Sequence, residues 1–122
     1  MSNNKDELAE HLPLSPHVFE ILLSLSSEPH HGYGIISDTR ERTDGAVIIG
    51  TSTLYASIRR LLELGLVRDQ GDLPSPGSDG PPRRYYAITD AGRELALLEA
   101  DRVQRAAHAA KNLLRAAAKA RD

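Results

Sequence analysis

No cysteine and no tryptophan occur in this chain of 122 residues, and other aromatics are few: four Tyr and one Phe. Without cysteine there is neither a disulfide framework nor a thiolate metal site, which points to a reducing setting. No apolar run approaches the roughly 18 residues that a membrane helix requires. The opening "MSNNKDELAEH" also lacks the apolar stretch of a secretory signal. The expectation is a cytoplasmic protein with no membrane partner. Nucleophile elbows, phosphate loops and H-E-x-x-H pairs are missing too, so no enzyme is expected. His30 and His31 are adjacent and point in different directions without clustered carboxylates. No metal and no cofactor is therefore assigned, and Asp90 and Glu94 fit the start of a helix without catalytic work.

Charge is nearly balanced. The net charge is −2, which argues at first against a nucleic-acid partner. Its distribution answers that objection. Residues 1–30 hold Lys5 against Asp6, Glu7, Glu10, Glu20 and Glu28, and the rest of the chain has more basic than acidic side chains. What governs binding is the local potential.

The 40% of hydrophobic residues present, mostly Leu, Ile, Val and Ala, suffices for one compact core. Residues 1–12 are polar and unpatterned and read as a flexible arm. A first helix follows in "LSPHVFEILLSLSSEP": Ser15 is an N-cap, Pro16 suits the first helical position, and Pro29 marks the end. A second short helix spans about 32–42. The apolar "AVII" at 46–49, bounded by glycines, reads as a buried strand. In "TSTLYASIRRLLELGLVRDQGD" Leu54, Ile58, Leu61, Leu62 and Gly65 form one stripe of a third helix, which Gly65 stops. "LVRDQ" and "RYYAIT" read as strands joined by a Pro/Gly/Ser-rich tip at 71–83. From Thr89 onward the composition supports a helix about 45 Å long.

With the stripe of the third helix turned inward, Ser52, Ala56, Arg59 and Glu63 line its outer ridge, with Arg60 beside them and Tyr55 on the flank. The first turn, Thr51, Ser52 and Thr53, brings small hydroxyls and free N–H groups suited to phosphate oxygens. One turn on, the arginine forks reach guanine edges or phosphates. An arginine pair on a helix is most often only a solvated face. The order of elements tips the balance: two helices, this helix and a β-hairpin constitute a winged helix-turn-helix. A second pair, Arg83–Arg84, stands where the hairpin tip meets its return strand. Tyr85 and Tyr86 alternate across that strand, one toward the core and the other near the wing or a ligand.

These residues also carry a family resemblance. "HGYGI", "TLYASIRRLLELGLV" and "RRYYAITDAG" resemble, in order, the signature of PadR-like transcriptional regulators over residues 16 to about 95. Ala56 stands where proline is usual in that pattern, and Gly34 where glutamate is common. The resemblance implies a homodimeric repressor that binds double-stranded DNA and is often released by a small aromatic or amphipathic effector. In the last helix Ala96, Ala100, Val103, Ala107, Ala110, Leu114 and Ala117 alternate spacings of four and three, a heptad seam suited to a second copy.

The expected fold is thus mainly α with a small β-hairpin. A flexible arm (1–12) precedes a winged helix-turn-helix (13–89) and a long dimerisation helix (90–122). The expected function is operator binding through Thr51, Ser52, Thr53, Tyr55, Arg59 and Arg60 in the groove and Arg83 and Arg84 on the backbone. The rival reading is a winged-helix protein-interaction module without sequence-specific DNA binding.

Overall fold

The computed structural model describes residues 4–74 and 80–121. The chain runs α1 (Asn4–Ala9), α2 (Pro16–Ser24), β1 (His30–His31), α3 (Gly32–Arg42), α4 (Thr51–Glu63), β2 (Val67–Leu73), β3 (Arg83–Ile88) and α5 (Asp90–Arg121). Helices α2, α3 and α4 and the hairpin form the expected winged helix-turn-helix, followed by the long α5. The three strands make one antiparallel sheet in the order β1–β3–β2.

Local signals account for most boundaries. The Ser15 hydroxyl accepts the Val18 N–H at 3.2 Å, and Pro16 takes the first position of α2, where a helix has no use for an N–H. The helix ends at Ser24 rather than at Pro29. The Ser26 hydroxyl, at 2.6 Å from the Leu23 carbonyl, occupies one of its last acceptors. Helix α4 closes with a paired C-terminal motif, Leu66 N–H donating to Leu61 O and Gly65 N–H to Leu62 O. That motif requires the left-handed φ of +74° that Gly65 supplies. Thr89 starts α5 by accepting the Gly92 N–H while donating to Gly65 O, which ties the helix start to the α4–β2 turn.

The core lies where the three short helices, the sheet and the first turns of α5 converge. Ile21, Leu22, Leu25, Ile35, Leu54, Ile58, Leu61, Leu66, Val67 and Leu95 are all nearly inaccessible. Each such side chain contributes about 1.5–3 kcal/mol by leaving water. One polar network crosses it at the edge. Ser24 and Thr39, both buried, share a hydrogen bond of 3.1 Å. Arg42 reaches Ser24, Glu20 and Asp38 at 2.7, 2.9 and 2.6 Å, pinning α3 to α2.

Three expectations are corrected. Residues 4–9 are helical, and Leu8 and Leu12 pack on the core with α1 against α5. A six-residue helix is too short to display periodicity, and its order comes from tertiary contact. The segment 46–49 is not a strand, although Ile49 is buried. The sheet edge it would need is occupied by His30 and His31, which pair with Tyr86 and Tyr85. Finally, β2 runs on to Leu73, past the expected start of the tip. A register shift between Asp69 and Gly71, where φ reaches +82°, lets the ladder continue to Leu73↔Arg83. Residues 75–79 of the tip lie outside the described residues.

Candidate nucleic-acid interface

Helix α4 presents two faces. Leu54, Ile58 and Leu61 are at most 2% exposed and fix its inner face to the core. Thr51, Ser52, Thr53, Ala56, Arg59, Arg60 and Glu63 are all exposed, as the wheel reading required. Gly50 occupies the N-cap position, and no side chain caps the first turn. The first N–H groups therefore stand beside three exposed hydroxyls. Neither Arg59 nor Arg60 has an ion-pair partner among the described residues.

Tyr55 sits on the flank at 43% exposure, with its ring end over Gly32, the first residue of α3. That glycine is buried, and a β-carbon there would collide with the Tyr55 hydroxyl. Helix α3 is capped by His31, which the sequence reading weighs only as a metal ligand. His31 Nδ1 accepts the Gly34 N–H at 3.0 Å, while the ring meets Tyr85 edge-on at 5.3 Å. Burial, then the charges of Arg83 and His30, lowers the His31 pKa below 6.5. A neutral ring is what an accepting Nδ1 requires.

The wing treats its two arginines differently. Arg84 is bound by Asp69 and lies 3.5 Å from Asp72, both on β2. Asp69 spans the bulge, since its other oxygen accepts the Gly71 N–H at 2.7 Å. Arg83 has no acidic partner among the described residues, and its guanidinium lies 5.8 Å from the ring centre of Tyr33, an exposed tyrosine of α3. Of the tyrosine pair, Tyr86 is the core residue and Tyr85 is half-buried.

Along α5 the seam residues divide. Ala96 is buried in the chain's own core, with Leu95 and Glu99. Ala100, Val103, Ala107, Ala110, Leu114 and Ala117 are exposed, as are Leu97 and Leu113. Sequence reasoning passed over Glu99, which is 3% exposed, pairs with Arg102 at 2.8 Å and accepts the Leu14 N–H at 3.3 Å. The hydrogen bond from Arg102 keeps its pKa below the usual carboxylate value. No group of His, Asp and Glu suited to a metal ion occurs among the described residues, and no described helix is long and apolar enough to cross a membrane.

Comparison with known proteins agrees with this geometry. Residues 21–97 match the transcriptional regulator PadR-like family. An uncharacterised protein of Lysinibacillus sphaericus is 35% identical over 79 residues, which cover 63% of this chain and 69% of that protein. Among solved structures, a PadR-like transcriptional regulator of Bacillus cereus superposes with a TM-score of 0.65 at 25% identity, covering 89% of this chain and 96% of the other. A PadR family transcription regulator of Clostridium difficile gives 0.68 at 20% identity, with coverage of 82% and 99%. Bacillus subtilis PadR in complex with operator DNA gives 0.58 at 20% identity, over 75% of this chain and 48% of that one.

Proposed function

This chain belongs to the PadR-like family of transcriptional regulators, and from that premise we propose that it is a DNA-binding repressor acting in the cytoplasm as a homodimer on a palindromic operator. The observation that carries this reading is the outer ridge of α4, where Arg59 and Arg60 stand exposed and without an ion-pair partner among the described residues, about two turns beyond a helix start that no side chain caps. Arginine forks in that position are fitted to guanine edges, and Thr51, Ser52, Thr53 and Tyr55 to the phosphates at the groove's edge. The wing, with Arg83 and Arg84 at its return strand, lies on the flanking backbone.

Dimerisation through Ala100, Val103, Ala107, Ala110, Leu114 and Ala117 is part of this reading, and the exposed apolar surface of α5 supports it. Leu113 and Leu114 are more than two-thirds exposed there, an arrangement a second copy would cover. Two such units place their recognition helices about 10 base pairs apart or a multiple of that, which matches a palindrome. Effector release would act on the same joint. An apolar groove of 280 Å³ between α2 and α5, bordered by Leu23, Ile88, Leu97 and Ala100, lies beside the seam and would admit a small aromatic or amphipathic molecule. Selection of duplex fragments from genomic DNA by the purified chain tests the proposal. Recovery of a discrete palindromic sequence is the expected result, and recovery of random fragments alone would refute it.

A further inference from the structure

The wing of this protein carries two adjacent arginines in different electrostatic states. Arg84 faces Asp69 and Asp72 across the hairpin and is ion-paired to them before any ligand arrives. It also stands on the strand opposite the bulge that Asp69 bridges. Moving Arg84 to a phosphate would leave two carboxylates facing the same polyanion. Arg83 stands the other way. It has no acidic partner among the described residues and lies over the Tyr33 ring, which is 68% exposed.

Between these groups a cleft of 420 Å³ opens, bordered by Tyr33, Tyr55, Arg83, Arg84 and the buried edge of Tyr86, with the Arg84 guanidinium tied to Asp69 and Asp72. It joins the start of α3, the flank of α4 and the wing. Tyr33 and Tyr55 each bring a hydroxyl donor and Arg83 a fork of N–H donors, a set that fits a tetrahedral oxyanion. The Tyr55 hydroxyl takes the space that a β-carbon at Gly32 would fill, so this glycine lets the ring end seat at the edge of the cleft.

We propose that this cleft is the seat of one backbone phosphate of the bound duplex, held by Arg83, Tyr33 and Tyr55, and that Arg84 is a positioning residue that braces the wing through Asp69 and makes no phosphate contact. The inference rests on the DNA-binding reading above and divides the wing arginines that the sequence treats alike.

The salt dependence of binding separates the two roles, because each phosphate neutralised by a cation adds about 0.9 to the slope of log K against log [salt]. The probe is a duplex selected from genomic DNA by the wild-type protein. Arg83→Gln should flatten the slope by about 1 for each subunit engaged, hence about 2 for a dimer, and Arg83→Lys should restore it. Tyr33→Phe should weaken binding severalfold on selected and scrambled duplexes alike, with the slope unchanged. Arg84→Gln should leave the slope as in wild type whatever it does to thermal stability. The proposal is overturned if Arg84→Gln flattens the slope as Arg83→Gln does, or if Arg83→Gln leaves it unchanged. Arg59→Ala serves as the control. If Arg59→Ala weakens binding while Arg83→Gln does nothing, the seat is refuted and the DNA reading stands. If neither variant changes binding, both are refuted.

Discussion

The hydroxyl of Tyr55 in α4 occupies the space that a β-carbon would take at Gly32, the first residue of α3. This contact sets how closely the two helices of the helix-turn-helix approach at the end that faces the wing. Alanine at position 32 would favour the helix by up to about 1 kcal/mol but would push the Tyr55 ring away. Gly32→Ala is therefore expected to lower affinity for duplex DNA several-fold. In a Tyr55→Ala background the same change should cost little, since the obstacle is gone. A double-mutant cycle on DNA affinity checks this, and additive effects would show that the contact is not what positions Tyr55.

His31 makes the stability of α3 depend on pH. Its Nδ1 accepts the Gly34 N–H only while unprotonated, and the folded ring holds its proton less readily than a free imidazole. The stabilisation is complete above pH 6.5, the ordinary value, and is lost as pH falls through the window down to the lower folded value. Chemical denaturation at pH 7.5 and pH 5.5 should show wild type losing more stability than His31→Asn, which keeps a capping oxygen without titrating. Equal losses in the two proteins would contradict this role.

Glu99 holds the segment ahead of α2 onto α5. Glu99→Ala removes the acceptor of the Leu14 N–H and leaves Arg102 without its carboxylate. A cost of about 1–3 kcal/mol in folding stability is expected, with faster amide hydrogen exchange at Leu14. Unchanged exchange there would mean that the segment is held by its leucines alone.

Assembly is tested on the open part of the seam. Val103 and Ala110 are exposed on α5, so glutamate at both positions should leave a lone subunit folded. Burying the two charges against a second copy would cost several kcal/mol. Light scattering should find wild type dimeric and the double variant monomeric, with operator binding lost. A double variant that remains dimeric would place the joint elsewhere.

The sequence was most informative where a single residue type has one physical use. Ser15 before Pro16, Gly65 after a leucine stripe and Thr89 ahead of an unbroken helical run marked helix ends that the structure shows within a residue or two. The exposed ridge of α4 followed from the spacing of Leu54, Ile58 and Leu61. What stayed hidden depends on partners distant in sequence. His30 and His31 have little intrinsic claim to be a strand; they form one because β3 offers them an edge. Ile49 and its neighbours have the composition of a strand but no edge to join. Among the described residues Arg84 is ion-paired and Arg83 is not, because the register past the bulge at Gly71 sets Asp72 opposite Arg84 and Leu73 opposite Arg83, while Asp69 reaches Arg84 from its place opposite Tyr86. Ala96 falls on the heptad seam by spacing, yet α5 enters the core over its first turns and buries it.

The central claim is that α4 reads base edges through Arg59, and the ratio of affinities for a selected duplex and a scrambled one measures that most directly. At physiological salt the wild-type protein is predicted to prefer the selected duplex by about 10³-fold or more. Arg59→Ala should reduce that preference by the equivalent of about 1–3 kcal/mol per subunit, with the thermal midpoint unchanged because Arg59 is exposed and has no ion-pair partner among the described residues. A wild-type protein that binds both duplexes equally, or a variant that keeps the full preference, would contradict the account and favour a winged-helix module that binds other proteins.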